Sequence, residues 1–160
     1  MPAHYKIHQL APDDLAFMNA LLETFGEAFD DVETYVRKRP SADYMRRLLG
    51  SDYFIALVAV TQGRVIGGIT AYELEKFEQE RSEIYIYDLA VAQAFRREVV
   101  ATALIAELKK IALARGVHVI FVQADTGVED EPAIALYSKL GVREAVLHFD
   151  IAVAHDEGVA

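Results

Sequence analysis

IYIYDLAVAQAFRREVVATALIAEL, residues Ile84–Leu108, places an apolar run, a basic turn and an amphipathic pattern one after another. Its first part, Ile84–Val91, is an apolar run of the kind that forms a buried strand. Arg96 and Arg97 follow, then a small residue and a hydroxyl, Ala101 and Thr102. From there Ala101, Leu104, Leu108, Ile111 and Ala112 fall on one helical face, and Gly116 ends the pattern. A strand, a basic turn and a helix start together make an anion site. The unpaired N–H groups of a first helical turn point outward, and the macrodipole adds positive potential. An ordinary strand–loop–helix connection shows the same pattern, so the stretch alone leaves both readings open.

Upstream, His4–Leu10 alternates weakly and reads as a first strand. Pro12, Asp13 and Asp14 suit a helix N-terminus, and Leu15, Met18, Leu22 and Phe25 recur at helical spacing. Glu27–Glu33 carries four carboxylates and no base, which reads as a solvated loop or as a rim that attracts a polycation. Ser41 caps a helix whose inner face carries Tyr44, Leu48 and Leu49, with Gly50 as its stop. Tyr53–Val60 and Arg64–Leu74 form a hairpin about Gln62-Gly63. Gly67-Gly68 marks a bulge or a close-packing point rather than a phosphate loop, because no helix start follows it.

Downstream, Val117–Ala124 reads as a buried strand, Asp125–Glu131 as an acidic loop and Pro132–Leu140 as a short helix stopped by Gly141. Val142–Val153 reads as a final strand or strand pair. The order β-α-α-β-β-β-α-β-α-β predicts an α/β fold with a mixed sheet and helices on both faces. No repeat or linker divides the chain, so residues 1–160 read as a single domain.

Composition narrows the function. The 160 residues are 53% hydrophobic and 26% charged, as expected of a globular chain. The net charge of −9 argues against nucleic acid and anionic membrane as partners and suits a cationic small molecule. There is no cysteine, which excludes disulfides, zinc–thiolate sites and a cysteinyl acyl-enzyme. The histidines are scattered, and no metal is expected. No signal peptide or membrane-length apolar run is visible, so the expected location is cytoplasmic.

IYDLAV followed by FRREVVATALI resembles the Gcn5-related N-acetyltransferases, whose signature Q/R-x-x-G-x-G/A cradles the pyrophosphate of coenzyme A. Arg96 takes the Q/R place, Val99 the first Gly place and Ala101 the G/A place. The blocks PSADYMRRLLGSDYFIALVAV, VIGGITAYELEKFEQERSEIYIYDLAV, VQAD, ALYSKLGVRE and HFDI are similar to type I aminoglycoside 3-N-acetyltransferases. The resemblance runs from about Thr24 to Ile151. It implies a sheet in which two adjacent parallel strands splay around the pantetheine arm. It also implies acetyl transfer from acetyl-CoA to the 3-amino group of an aminoglycoside, by direct attack in a ternary complex, conferring antibiotic resistance. An acetyltransferase for another small amine or a protein N-terminus, or a non-catalytic acetyl-CoA-binding module, are the alternatives. A homodimer is compatible with any of these.

The implied cofactor contacts are Arg96, Arg97 and Thr102, the N–H groups of Arg97, Glu98, Val99, Val100 and Ala101, and the backbone of Leu89, Ala90 and Val91. An N–H near Val91 would polarise the thioester carbonyl. Tyr137 matches the tyrosine that lies near the cofactor's sulfur in many relatives, where its role would be to donate a proton to the departing thiolate; a packed helix tyrosine is the alternative. Asp130 stands where relatives carry an asparagine that bonds the pantetheine arm.

The substrate ammonium must lose a proton before attack, and a carboxylate is the natural acceptor. Asp88 is the candidate base, nearest the expected acetyl position. Glu83, Asp125 and Asp150 are candidate contacts for substrate ammonium groups, and Glu129 reads as surface charge. Strand alternation places Glu83 and Asp88 on opposite faces unless a bulge intervenes. At Val99 a β-branched residue limits close approach to a phosphate. Either the loop is helical enough to tolerate valine or cofactor affinity is reduced. Glycine there is expected to tighten binding and, through added flexibility, to lower the melting temperature slightly.

Overall fold

The computed structural model describes residues 4–96 and 99–154. The chain divides into two compact units, Met1–Gln123 and Ala124–Ala160. In the first, β1 (Lys6–Gln9), β2 (Phe54–Thr61), β3 (Arg64–Glu75), β4 (Ser82–Val91) and β5 (Val119–Val122) lie side by side in chain order. The first four strands are antiparallel and β5 joins β4 in parallel, giving the mixed sheet that the element order predicts. Gln62 and Gly63 both have positive φ, +50° and +73°, and close the β2–β3 hairpin tightly.

Strand alternation sorts the apolar residues to two faces. Phe54, Ala56, Val58 and Ala90 share a core with Met18, Leu21 and Phe25 of α1 (Leu15–Ala28) and Met45 and Leu49 of α2 (Ala42–Leu49). On the other face, α3 (Val100–Arg115) packs against β2, β3 and β4 and buries Val100, Leu104, Ile105, Leu108 and Ala112. Leu21, not Leu22, is the central contact of α1, and Tyr44 of α2 is exposed while Met45 is buried. Helical period sets the width of an apolar stripe, but the docking angle against the sheet selects its centre.

Gly67 and Gly68 are close-packing points, as expected. A Cβ at Gly67 would lie 2.9 Å from the Ala90 carbonyl oxygen. At Gly68 it would lie 2.5 Å from both Leu21 Cδ1 and the Leu57 carbonyl oxygen. The glycines let α1 and β4 approach β3 at van der Waals distance. Ser41 caps α2 as expected, accepting a 3.2 Å hydrogen bond from the Tyr44 N–H.

The β3–β4 register shifts once. Tyr72 pairs with Tyr85 and Ala71 with Ile86, but Thr70 pairs with Asp88, leaving Tyr87 as the extra residue of a bulge. Parallel pairing of β4 with β5 covers Glu83–Ile86 and stops there, so β4 runs on from Tyr87 to Val91 with no β5 partner.

The second unit holds α4 (Glu131–Leu140), entered through a short turn at Val128–Asp130 and ended at Gly141. Residues 142–154 form no strand among the described residues, contrary to the expectation of a final strand or strand pair over Val142–Val153. Alternation prepares a face, but a strand is defined by a ladder, and a ladder needs a partner's backbone groups.

Candidate active site

The bulge at Tyr87 brings the site together. Residues opposite one another in an antiparallel pair share a face, so Asp88 lies on the face of Thr70, Tyr72 and Tyr85. Without the extra residue Asp88 would point to the opposite face. Glu83 pairs with Leu74 and so shares this face too, which reverses the expectation from simple alternation. The two carboxylates still do not form a pair. Five strand positions separate them by roughly 15 Å, and Glu83 is met by Lys76 at 3.3 Å.

Aromatic rings surround Asp88. Tyr85 and Tyr87 alternate outward from Ile84 and Ile86, and a ladder of ring contacts runs Phe54–Tyr72–Tyr87–Tyr85–Phe121. The alternation within IYIY is the sequence signal that could have revealed this wall, since only the isoleucines are fully buried. A second residue had no such signal. Tyr35, on a π-helical turn at Glu33–Arg37, donates a 2.9 Å hydrogen bond from Oη to Asp88 Oδ2. The acidic stretch that read as a solvated loop therefore folds in part, and Thr34 N–H caps onto Asp31 Oδ1 at 3.1 Å.

Burial pushes the Asp88 carboxyl up to about 6, opposed by a smaller lowering from the Tyr35 hydrogen bond. Burial, then the charge and hydrogen bond of Asp88, hold the Tyr35 phenol well above its ordinary range. Tyr35 is therefore a permanent donor at neutral pH, while Asp88 can exchange a proton there.

The open edge of β4 supplies backbone donors. Ala92 N–H bonds the Ile66 carbonyl of β3, so alternation aims the N–H groups of Leu89 and Val91 at the edge that β5 leaves unpaired. The Val91 carbonyl points the same way and accepts a 3.0 Å hydrogen bond from Arg96 Nε. Arg96 also lines a small cavity with Thr24, Glu27 and Gln93. Arg97 and Glu98 lie outside the described residues.

Val99 is the N-cap of α3, and its side chain makes no cap hydrogen bond. The first-turn amides of a helix of this length are the kind of donors that an anion uses, while the Val100 side chain is buried in the core. Leu89, Val91 and the α3 N-terminus fit an extended co-substrate ending in phosphates. Val99 itself has φ +58° and ψ 16°, in the left-handed region. The loop is therefore not helical at this position. Glycine adopts this conformation freely, whereas an L residue pays about 1–2 kcal/mol and a β-branched one is a true outlier.

This changes one expectation. Val99→Gly should raise the melting temperature rather than lower it, because relief of strain outweighs the loss of about 0.4–1 kcal/mol from extra unfolded-state entropy. It should also tighten coenzyme A binding modestly. Calorimetry on both forms checks each effect, and a lower melting point would mean that Val99 is not strained.

In the second unit, Asp130 holds the loop before α4 by accepting a 2.7 Å hydrogen bond from the Asp125 N–H at Oδ2. Its aspartate thus has a local structural role. Tyr137 lies on α4, and Asp150 pairs with His148 at 2.9 Å. The expected residues therefore divide between the units. Glu83, Asp88–Val91, Arg96 and Val99–Thr102 belong to the first, and Asp125, Glu129, Tyr137 and Asp150 to the second.

The profile of the acetyltransferase (GNAT) family matches residues 15–142. The chain belongs to that family. It is 67% identical to an aminoglycoside acetyltransferase from an uncultured soil metagenomic sample, whose crystal structure superposes with a TM-score of 0.93 over 94% of this chain and 99% of that one. A second aminoglycoside acetyltransferase from an uncultured soil metagenomic sample, solved in complex with sisomicin, is 29% identical with a TM-score of 0.86, covering 94% and 97%. An aminoglycoside N-acetyltransferase solved with CoA is 18% identical with a TM-score of 0.72, covering 96% and 98%, and shares the fold. No curated protein matches the chain. The family match spans both compact units of this acetyltransferase.

Proposed function

We propose that this chain transfers the acetyl group of acetyl-CoA to the 3-amino group of an aminoglycoside, by direct attack with both substrates bound. The observation that carries the reading is Asp88, a half-buried carboxyl brought by the bulge to the point where β4 leaves β5. The high identity to an aminoglycoside acetyltransferase supports the substrate class. We read the two units as one acetyltransferase domain, since the family match crosses their boundary.

Acetyl-CoA, when bound, supplies an activated thioester. The α3 N-terminus, with Arg96, Arg97 and Thr102, would hold its phosphates, and the Leu89 and Val91 amides would bind along β4. Asp88 takes a proton from the substrate ammonium, directly or through water, and frees the amine's lone pair. The new C–N bond forms as the C–S bond breaks, and the acetylated nitrogen releases its second proton to water, which balances the proton given to sulfur. The Val91 N–H stabilises the carbonyl oxygen as it gains charge, and Tyr137 delivers a proton to the departing thiolate. Holding both reactants in one site supplies much of the rate gain through orientation.

Asp125 and Asp150 would bind further ammonium groups of the substrate. An ammonium reaching Glu83 would compete with Lys76, so Glu83 contributes less. Removing charge at Asp125 and Asp150 should raise KM for aminoglycosides more than for acetyl-CoA, with the effect shrinking as salt rises. Steady-state kinetics at two ionic strengths check this, and equal effects on both substrates would refute it.

The deciding experiment is a panel of aminoglycosides and simple amines with acetyl-CoA, read by thiol release, with the product's acetylated nitrogen located by NMR. Turnover at the 3-amino group is the expected result. Turnover only with other amines would move the substrate assignment, and no turnover with any amine would leave a binding module.

A further inference from the structure

Tyr35 stands 53 residues before Asp88 in the chain and reaches it from a π-helical turn that packs against α1. Its ring packs edge-on to Phe25 of α1 at 5.9 Å and against Phe29 at 5.6 Å, which sets the direction of its hydroxyl. That hydroxyl meets one oxygen of Asp88 at 2.9 Å. From this geometry we infer that Tyr35 is a positioning residue for catalysis: it fixes the Asp88 carboxylate on the face that carries Tyr72 and Tyr85 and holds it ionised at the pH of turnover. The inference rests on Asp88 being the base.

The chemistry follows from the donor's permanence. A phenol that stays protonated can only donate to Asp88, so it favours the carboxylate over the neutral acid. The half-buried setting favours the neutral acid, and Tyr35 opposes that tendency. The other titratable groups around the pair are Tyr72 of β3, Tyr85 and Tyr87 of β4, and Asp31 ahead of the π-helical turn. Burial holds the Tyr72 and Tyr85 phenols above their ordinary range, and α1 presents Phe25 to the pair, with Glu27 beside Arg96 at the neighbouring cavity. Asp31 acts on Tyr35 by its charge and raises the phenol further, which reinforces its role as donor.

Tyr35→Phe keeps the ring and its aromatic contacts and removes only the donor. A hydrogen bond to a charged group, partly replaced by water at this half-open site, corresponds to a shift of about one pH unit. The acid limb of kcat/KM should move up by that amount. The ratio of wild-type to variant rate should then be about tenfold near pH 5 and close to one at pH 9. Carbon-13 NMR of the Asp88 carboxyl in the free protein should show the same upward shift, independent of activity. In an Asp88→Asn background, Tyr35→Phe should change the pH profile no further.

A uniform loss at every pH, with the Asp88 titration unmoved, would make Tyr35 merely structural and overturn the inference. If Asp88→Asn leaves turnover intact while the NMR shift in Tyr35→Phe appears, the base assignment fails but the Tyr35–Asp88 coupling stands. Should Tyr35→Phe fold poorly, Asp31→Asn gives a second test. It should leave the Asp88 titration in place, since the hydrogen bond is intact, and a large displacement would overturn the inference.

Discussion

Asp88→Asn should remove most of the activity and stabilise the fold at neutral pH. Loss of a general base costs roughly a hundred- to ten-thousandfold in kcat. The residual rate should climb with pH as the free amine becomes more abundant. Asparagine keeps an oxygen that can accept the Tyr35 hydrogen bond, so geometry is preserved.

The stability effect follows from the direction of the Asp88 shift. Its carboxyl titrates at about 6 in the folded chain, above its ordinary 3.8. Between those values the folded state binds more protons than the unfolded state, so the carboxyl's contribution to stability falls as pH rises through that window. Because Asp88 is partly open to water, the cost at pH 7 is discounted to about 1–2 kcal/mol. Asp88→Asn should recover it, a gain of about 2–4 °C per kcal/mol at this chain length. Below pH 4 the two proteins should melt alike. Unchanged turnover would discharge Asp88 as the base and make Asp125 the next candidate. A melting difference independent of pH would show that the carboxyl is not held out of water.

The second large effect is at the leaving group. Tyr137→Phe should lower kcat by roughly ten- to a thousandfold, the range for general acid catalysis, with little change in coenzyme A affinity. A thiolate is a better leaving group once protonated, so the loss should shrink with acyl donors whose thiol is more acidic. An unchanged kcat would leave Tyr137 as a packing residue of α4. Rapid-quench measurement of the chemical step separates this from slow product release.

How much of this was legible beforehand depends on the range of the interaction. The hairpin at Gln62-Gly63 and the Ser41 cap are set within a few residues and appear where the sequence places them, and α3 begins one residue before the Ala101 that opens the predicted helical face. The acetyltransferase signature is equally local, because a strand end, a turn and a helix start lie within one short stretch. The inner face of α1 was half legible. Period showed that a stripe exists, but contact with Gly68 made Leu21 its centre.

Hydrophobic period, turn residues and a contiguous motif are properties of neighbours along the chain, and they were enough for the strands and α-helices from β1 to α4, the mixed sheet and the family, but not for the strand read over Val142–Val153. Tertiary structure decided the chemistry around Asp88. Whether Asp88 faces α1 or α3 depends on one unpaired residue, Tyr87, and a bulge exists only relative to the partner strand. Tyr35 joins the site through tertiary contacts, its ring against Phe25 of α1 and its hydroxyl on Asp88 of β4. Val99 takes a left-handed backbone immediately before α3, against the preference of its β-branched side chain. These are contacts between distant positions, and pattern along the chain carries no record of them.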